Sequence, residues 1–229
     1  MPHRILACLV SVLLWPGAVH AQQTPQPKVR TITAFVRLDR ATYRAQVDEA
    51  LKMLRQAKAE FVKAGYEVET IRITSQPFPE YIAGLSAEQA LEFFREYDQL
   101  AQREGFAPAI GPAMGKNSDG DDPKQADLLA KILASTASIN GFIVVADDRG
   151  IHWNAVRAAA RINKYLEEHT THSEGNFRFA SGAFPPENAP FFPVSFTRGA
   201  GHGFAIGLES AGIANQAFAG ANQDAIRIR

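Results

Sequence analysis

Strand-like and helix-like segments alternate over the first 168 residues, and this alternation restricts the fold more than any other feature of the chain. The clearest strand, residues 141–146 (GFIVVA), is apolar throughout, as strands of a parallel sheet covered on both faces are. Strands that alternate with helices indicate βα units. We therefore predict an α/β fold whose largely parallel sheet is either open or part of an α/β barrel, with mixed strands in the C-terminal third.

The other segments of the alternation are placed by hydrophobic period and by helix-ending residues. Apolar residues at every second position predict strands, and apolar residues three and four apart predict amphipathic helices. Gly65 is placed to end the first helix, and Ser86 with Gln89 forms a capping box that opens the second. Asp122 caps a third helix, which we expect to end at Asn140. The predicted strands before residue 141 are 29–36, 66–74 and 106–112, and the predicted helices are 41–64, 86–103, 122–139 and 151–168.

The first 21 residues have the layout of a secretory signal peptide. Residues 1–4 are short and basic, residues 5–15 are mostly apolar, and Val19 and Ala21 put small side chains at positions −3 and −1 of a cleavage site. The apolar run is too short to span a bilayer, for which about 20 residues are needed. We predict cleavage after Ala21, a polar linker at 22–28, a single domain at 29–229, and a periplasmic or secreted mature protein without membrane attachment.

Composition excludes several classes of function. The one cysteine, Cys8, lies in the predicted signal peptide, so the mature protein has no disulfide, thiolate nucleophile or cysteine-ligated metal. The formal net charge is zero and no block of like charge stands out, which predicts no nucleic-acid partner. We also expect no metal and no cofactor, because residues 117–128 lack the glycine and glutamate of a calcium loop and the glycine-rich residues 199–203 lack the lysine of a phosphate-binding loop.

Residues 176–209 concentrate aromatic, glycine and polar residues, and we predict that the functional site lies there. Strand character recurs at 176–184, 191–197 and 204–208. In the first of these strands Arg178 alternates with two phenylalanines, so its planar guanidinium is expected to face away from both rings and to clamp a carboxylate or phosphate. His202, between two glycines, and Glu209, after the last strand, are the predicted acid–base pair.

Three further candidates precede this region. Asp147 leaves a buried strand at the end where ligands of parallel sheets bind, so it is a candidate acid or base; a capping role in a solvated turn is the alternative. Arg72 and Ser75, near the end of another strand, are candidate substrate-binding residues. For each arginine the alternative is a stem packed on apolar surface with a hydrated head. For His202 the alternative is an exposed loop residue, and for Glu209 it is a carboxylate stabilised at a helix N-terminus.

Five segments, taken in order, resemble the family numbered 711 among the domains of unknown function, a group similar in fold to pyruvate formate-lyase. They are KVRTITAFV from residue 28, GYEVETIRITSQPF from residue 65, and NFRF, PFFP and FAIGLE from residues 176, 190 and 204. The resemblance implies an α/β barrel-like fold whose strands enclose a central site, with Arg178 and Glu209 as motif members, and it implies no established activity. Family members are usually longer, so the chain is expected to correspond to the amino-terminal part of the family fold. Radical chemistry of the related fold is excluded because the mature chain has no cysteine.

Two functions from different classes remain open at this point. The first is an exported enzyme that acts on a small polar or anionic metabolite by acid–base chemistry, with Arg178 as the anion clamp. The second is a non-catalytic ligand-binding or scaffold module, a truncated pseudoenzyme. Convergence of Arg178, His202 and Glu209 in one pocket favours the enzyme, and their dispersal favours the module. Apolar strands left unpaired at a shortened carboxyl end also predict self-association into a homo-oligomer.

Overall fold

The computed structural model describes residues 27–114, 123–199, 201 and 203–219, which form strands, helices and one 3₁₀ segment. The strands are β1 (Lys28–Phe35), β2 (Val68–Thr74), β3 (Ala107–Pro112), β4 (Asn140–Asp147), β5 (Gly150–Ile151), β6 (Phe179–Ala183) and β7 (Gly203–Glu209). The helices are α1 (Tyr43–Lys63), α2 (Phe78–Tyr81), α3 (Ala87–Glu104), α4 (Pro123–Ser135), α5 (Trp153–His169) and α6 (Ala211–Ala219), and the 3₁₀ segment spans Thr171–Arg178.

The strands form one open, mostly parallel sheet, which confirms the predicted α/β class. Its order is β7, β1, β2, β3, β4, and β4 also pairs with β5 and with β6. Five strands run parallel, whereas β7 is antiparallel to β1 and β5 is antiparallel to β4. Consecutive parallel strands are neighbours, and because such crossovers are right-handed, the connecting helices lie on one face of the sheet.

The helix-covered face holds the main core. Each of α1, α3, α4 and α5 turns an apolar stripe toward buried residues of the strands, such as Ile32 and Ile73. The predicted capping box of α3 is confirmed: Gln89 N donates to Ser86 Oγ, and Ser86 N donates to Gln89 Oε1 at 2.9 Å. Gly65 follows α1 with a φ of 88°, as the predicted helix-ending role requires.

Helix α4 ends at Ser135, and Asn140, where we expected it to end, begins β4 instead. The cause is the nearly buried carboxylate of Asp98 on α3, which accepts hydrogen bonds from the backbone N–H groups of Ala137 and Ser138 at 2.9 and 2.8 Å. Those two amides are held by a side chain of another helix, so they are not available to extend α4. Asp122, the predicted cap of this helix, lies outside the described residues.

Residues 189–197, here called the crossing segment, run over the face of the sheet opposite the helices. The strand predicted at 191–197 is wrong: the segment has no strand structure. Pro190 and Pro193 have no backbone N–H to give to a ladder, which explains the failure. The segment contacts successive strands, because Gly207 of β7 faces Phe191, and Phe196 packs on Phe142 of β4 with 5.8 Å between ring centroids.

Side chains attach the crossing segment to the sheet in place of a ladder. The hydroxyl oxygens of Ser195 and Thr74 lie 2.8 Å apart, and the Ser195 hydroxyl also donates to the Ala189 carbonyl at 2.7 Å. The backbone N–H of Thr197 donates to the Ser75 carbonyl at 3.2 Å. A second, smaller core forms beneath the segment; it comprises Phe142, Val144 and Phe196 with Ala180 and Val194.

The strand predicted at 176–184 is confirmed only for Phe179–Ala183, because the chain before it is 3₁₀ helical. The backbone N–H of Gly175 donates to the Thr170 hydroxyl at 3.1 Å, and a Cβ at Gly175 would lie 2.9 Å from Thr170 Cγ2, so the chain turns tightly here. As a result Phe177 is 85% exposed while Phe179 is buried. Arg178 is therefore not flanked by two core-facing rings as predicted.

Strand β7 confirms the predicted strand at 204–208 and forms an edge of the sheet. Phe204, Ile206 and Leu208 pair in register with buried residues of β1, yet their side chains are 60%, 37% and 52% exposed. Helix α6 follows this strand.

Candidate functional site

A cleft of about 560 Å³ opens at the carboxyl ends of β1 and β2. This is where open parallel sheets bind ligands, since loops from adjacent strands diverge there. Its walls come from the loop after β1 and from the turn and short helix α2 after β2. The polar part of the lining comes from Arg37, Asp39, Arg40, Gln76, Glu80 and Tyr81.

Gln76 ties the two loops of the cleft together. Its side-chain amide donates to the Leu38 carbonyl at 2.7 Å and accepts from the Leu38 N–H at 2.9 Å. The amide is buried, and these two bonds continue the pairing of β1 with β2 beyond the last ladder residues. Gln76 therefore fixes the shape of the cleft and uses half of its amide hydrogen-bonding capacity to do so.

Gly111 of β3 supports the wall of the cleft from behind. Its φ is +71°, and a Cβ built there would lie 2.9 Å from the Gln76 carbonyl oxygen and from Pro77 Cα. Both atoms belong to backbone and cannot rotate away. Glycine is the residue that permits this close approach between β3 and the turn after β2.

Arg37 and Arg40, the two arginines of the cleft, differ in how well their guanidinium groups are paired. Arg37 Nη2 lies 2.9 Å from Glu80 Oε2, so the first guanidinium has a carboxylate partner across the cleft. Arg40 Nη1 donates to the carbonyls of Tyr81 and Ala83 at 3.5 and 3.3 Å, distances that indicate weak bonds. Arg40 thus presents a positive charge that its neighbours satisfy only in part.

Asp39 holds the loop that carries Arg40. Its Oδ1 accepts from the backbone N–H groups of Ala41 and Thr42 at 2.9 and 3.2 Å, and its own N–H donates to Gln46 Oε1 at 2.8 Å. This turn leads directly into α1. Asp39 consequently positions Arg40.

Ser75, a predicted substrate-binding residue, lies beneath the cleft and not in it. The side chain is fully buried, donates to the Gln76 carbonyl at 2.9 Å and lies 3.2 Å from the Tyr81 hydroxyl. Burial raises the pKa of Tyr81 well above its usual 10.0, so the phenol is neutral near pH 7. Ser75 therefore contacts the cleft only indirectly, through Gln76 and Tyr81, which line it.

Arg72 lies on the opposite face of the sheet from Ser75, under the crossing segment. Its Nη1 donates to the Pro190 carbonyl at 3.2 Å, its Nε donates to the Thr70 hydroxyl at 3.2 Å, and the guanidinium sits 4.6 Å from the Phe192 ring centroid. Burial is the main cause that lowers the pKa of Arg72 below its ordinary value. The guanidinium is half-buried among neutral groups.

Arg178, the predicted anion clamp, contacts the end of α4. Nη1 donates to the Ile139 carbonyl at 3.3 Å, and Nη2 donates to the Leu133 carbonyl at 2.9 Å. A guanidinium at a helix C-terminus satisfies carbonyls that lack partners within the helix and complements the helix dipole. The observed contacts are those of a helix cap.

The structure does not bring Arg178 and Glu209 together. Arg178 precedes β6, which pairs with β4, whereas Glu209 ends β7, which pairs with β1 and lies across from Lys28. With about 4.8 Å between adjacent strands, these edges of an open sheet are separated by on the order of 20 Å. Glu209 is exposed, and its partner groups are the surface charges around Lys28. The convergence of these groups in one pocket, which the enzyme hypothesis requires, is therefore not observed, because the sheet is open and its two edges lie apart.

Asp147 ends β4 at the carboxyl edge and pairs with a histidine that sequence reasoning missed. Asp147 Oδ1 lies 3.0 Å from Nε2 of His152, which is 3% exposed. Arg149 also holds this carboxylate: its backbone N–H donates to Oδ1 at 2.9 Å and its Nη2 to Oδ2 at 2.7 Å. The backbone hydrogen bond from Arg149 is the main cause that lowers the pKa of Asp147.

The signal for this pair was present in the spacing. The tight hairpin from β4 to β5 places Ala146 opposite Ile151 and brings the His152 N–H to the Val145 carbonyl at 2.9 Å. A histidine five positions after a strand-ending aspartate thus returns to it across the turn. His202, which we predicted to form an acid–base pair with Glu209, lies outside the described residues.

Two features are absent from the described ranges, residues 27–114, 123–199, 201 and 203–219. None of their helices is both long and apolar enough to cross a membrane. No three or more histidine, cysteine, aspartate or glutamate side chains in those ranges come together as a group that could hold a metal ion.

Comparison with known proteins agrees with the motif resemblance. The model of the family described as Uncharacterised ACR (DUF711) matches residues 22–228, which include every strand and helix described above. No match is found among curated proteins. Because the family match spans nearly the whole chain, this protein belongs to the DUF711 family.

Proposed function

We propose that the protein binds a small polar or anionic metabolite in the cleft at the carboxyl ends of β1 and β2. One observation carries this proposal: Arg40 lines the cleft, and its contacts within the described residues are two long hydrogen bonds to carbonyls. A guanidinium has five N–H donors in a planar fork that fits a carboxylate or phosphate. Most donors of Arg40 therefore remain for a ligand.

The size and charge of the cleft support the same ligand class. Its volume of about 560 Å³ lies within the range typical of small-molecule sites. Arg37 is paired with Glu80 across the cleft, and the Asp39 carboxylate accepts from backbone N–H groups of its own turn. Arg40 is therefore the lining cation that forms no ion pair within the described residues. A metabolite with one anionic group at Arg40 and polar groups toward the remaining lining fits this arrangement.

Binding is favoured over acid–base catalysis at the residues of the C-terminal motifs. Catalysis there requires a clamp, an acid and a base within reach of one substrate. Arg178 caps α4, and Glu209 lies at the far edge of the sheet. Dispersal of these groups supports the ligand-binding module of the two functions weighed from the sequence.

An acid–base enzyme remains the second candidate, and the Asp147–His152 pair favours it. A carboxylate beside an imidazole orients the ring and stabilises its protonated form. The pair stands at the carboxyl end of β4, where catalytic groups of parallel sheets act. In this mechanism His152 exchanges a proton with the substrate, and Asp147 orients the imidazole ring of His152.

A thermal-shift screen of small carboxylates, phosphates and neutral polar metabolites tests the binding function. Hits should lose affinity about tenfold in Arg40→Met, because a hydrogen bond to a charged group contributes about 1.5–3 kcal/mol. Arg55→Met is the matched control: Arg55 is also exposed and donates to the Glu104 carbonyl and carboxylate, away from the cleft. Hits that bind Arg40→Met as tightly as the wild type contradict the proposal.

The same hits separate binding from catalysis. Each is incubated with the wild type and with His152→Gln, and its mass is followed over many hours. Chemical conversion by the wild type and not by His152→Gln supports the enzyme. Complete recovery of every hit from the wild type supports the binding module.

We also propose, on the N-terminal sequence alone, that the protein is exported and that residues 1–21 are removed. Expression of the full chain in a bacterial host, followed by fractionation, tests this. A periplasmic or secreted product whose first residue is Gln22 is the expected result. An intact chain retained in the cytoplasm contradicts it.

A further inference from the structure

Arg72 differs from Arg178, which is also half-buried, in that neither a carboxylate nor a helix end is among its direct contacts. Its contacts are a carbonyl of the crossing segment, a threonine hydroxyl and the face of the Phe192 ring. Within the described residues it forms no ion pair. The nearest carboxylate that acts on it, Glu69, is hydrogen-bonded to Arg30, which itself repels Arg72.

The surrounding side chains on this face are hydroxyls and not carboxylates. Thr33 stands beside Arg72 in the register of β1 and β2, and its hydroxyl lies 3.2 Å from that of Thr31. Thr74, further along β2, is paired with Ser195. Apart from Arg72, the residues just named on this face are therefore polar and uncharged.

Arg178 shows what compensation looks like in the same sheet. It is also half-buried, and burial is the main cause that lowers its pKa as well. It donates to two carbonyls at the C-terminal end of α4, where the helix dipole is negative. Arg72 has no helix end among its contacts, so the charge taken partly out of water is stabilised less well.

The free donors of Arg72 can be counted. A guanidinium carries five N–H groups, of which one on Nε and one on Nη1 are used by Thr70 and Pro190. The remaining three include both donors of Nη2. The third is on Nη1, and one N–H from each terminal nitrogen can together match the two oxygens of a carboxylate or phosphate.

We propose that Arg72 is a second ligand site of this protein, which binds the carboxylate or phosphate group of a small molecule on the face of the sheet opposite the helices. Phe192 forms one wall of the site, and the crossing segment holds the guanidinium from above through Pro190. The bound anion supplies the negative charge that neutralises the Arg72 guanidinium. The site is separate from the cleft, since Arg72 points away from the face on which Ser75 and Tyr81 lie.

Phosphate titration followed by NMR tests the site without relying on any variant. The Nε–H resonances of the arginines are recorded in the full-length protein while inorganic phosphate, or acetate as the carboxylate probe, is added at constant ionic strength. The Arg72 resonance should shift with a saturable dependence on the anion. A linear or absent response of Arg72, with saturation at other arginines only, overturns the proposal.

Three variants then separate this site from the cleft and from general charge effects. In all variants, binding at this site is followed at the backbone amide of Phe192, whose ring contacts the guanidinium. Arg72→Met should weaken phosphate binding there at least about tenfold, because a charged hydrogen-bond partner is lost. Arg178→Met removes an equally buried guanidinium, and Arg40→Met removes the cleft guanidinium; both should leave the affinity at Arg72 within about twofold of the wild type. Loss of the response in Arg40→Met, with Arg72→Met behaving as wild type, assigns the anion to the cleft and refutes the second site. If Arg72→Met does not fold, Arg72→Lys, which keeps the charge but not the fork, should bind phosphate several-fold more weakly.

Discussion

Replacement of Gly111 by alanine should disrupt the cleft from behind, and its cost can be worked from two separate effects. The residue has a φ of +71°, a conformation that costs an L-residue about 1–2 kcal/mol. The added Cβ would also lie 2.9 Å from the Gln76 carbonyl and from Pro77 Cα, and overpacking of this kind costs about 1–3 kcal/mol. The total predicted loss of unfolding free energy is about 2–5 kcal/mol.

Gly105 provides the matched control for this prediction. Its φ is +73°, nearly that of Gly111, but a Cβ there has no atom within 4 Å. Gly105→Ala should therefore cost only the backbone share, about 1–2 kcal/mol. The difference between the two variants isolates the close contact between β3 and the turn that carries Gln76.

Urea unfolding at equilibrium, followed by tryptophan fluorescence and far-ultraviolet circular dichroism, measures both variants. Coincident transitions with unchanged m-values permit direct comparison of the unfolding free energies. Gly111→Ala should also weaken ligand binding in the cleft, because the turn that it displaces carries Gln76, which lines the cleft. A Gly111→Ala variant no less stable than Gly105→Ala would refute the proposed packing of β3 against the cleft wall.

Three other predictions follow from contacts described above. Gln76→Glu keeps the acceptor for Leu38 N–H but loses the donor to the Leu38 carbonyl, so urea unfolding should show a loss of about 1–3 kcal/mol, and wild-type stability would contradict the bridging role. The Arg149 N–H holds the pKa of Asp147 below its usual 3.8, so the ionised carboxylate stabilises the fold above that pH, and this stabilisation is lost as the pH falls through the lower folded-state pKa. The difference in unfolding free energy between wild type and Asp147→Asn should therefore be constant near neutrality and shrink in acid. A difference that grows on acidification would contradict this prediction. Ile206→Lys, at the centre of the exposed apolar row on edge strand β7, should reduce self-association in sedimentation velocity, and an unchanged oligomer distribution would show that this edge is not the contact.

Local signals predicted most of the α/β framework. The capping box at Ser86, the glycine after α1 and the apolar run in β4 each act within a few residues, so the chain alone specifies them. The end of α4 could not be predicted in this way. It depends on Asp98, a residue some forty positions earlier in the chain, which takes the amides of Ala137 and Ser138.

The failures at the C-terminal motifs have one physical origin. In the crossing segment Pro190 and Pro193 have no N–H for a strand ladder, and the Ser195 hydroxyl bonds to the Thr74 hydroxyl instead. Arg178 has the flanking residues of a strand arginine, but the tight turn at Gly175 places it against α4. Which face a side chain takes depends on contacts between distant segments, and the sequence pattern does not contain them.

The cleft itself was missed because its residues carry no motif. Arg37 and Arg40 lie in an ordinary loop, and only the parallel pairing of β1 with β2 brings them beside Glu80 and Tyr81. The general rule for carboxyl ends of parallel strands pointed to Ser75, one residue before the cleft-lining Gln76. The rule therefore indicated the correct region, and the structure identified the side chains that line the cleft.

A crystal structure of the protein with the tightest hit from the ligand screen tests the central claim most directly. The predicted result is a ligand in the cleft at the carboxyl ends of β1 and β2, with an anionic oxygen within hydrogen-bond distance of the Arg40 guanidinium and the bonds from Arg40 to Tyr81 and Ala83 lengthened or broken. A ligand bound elsewhere, with an empty cleft and the Arg40 contacts unchanged, would contradict the account.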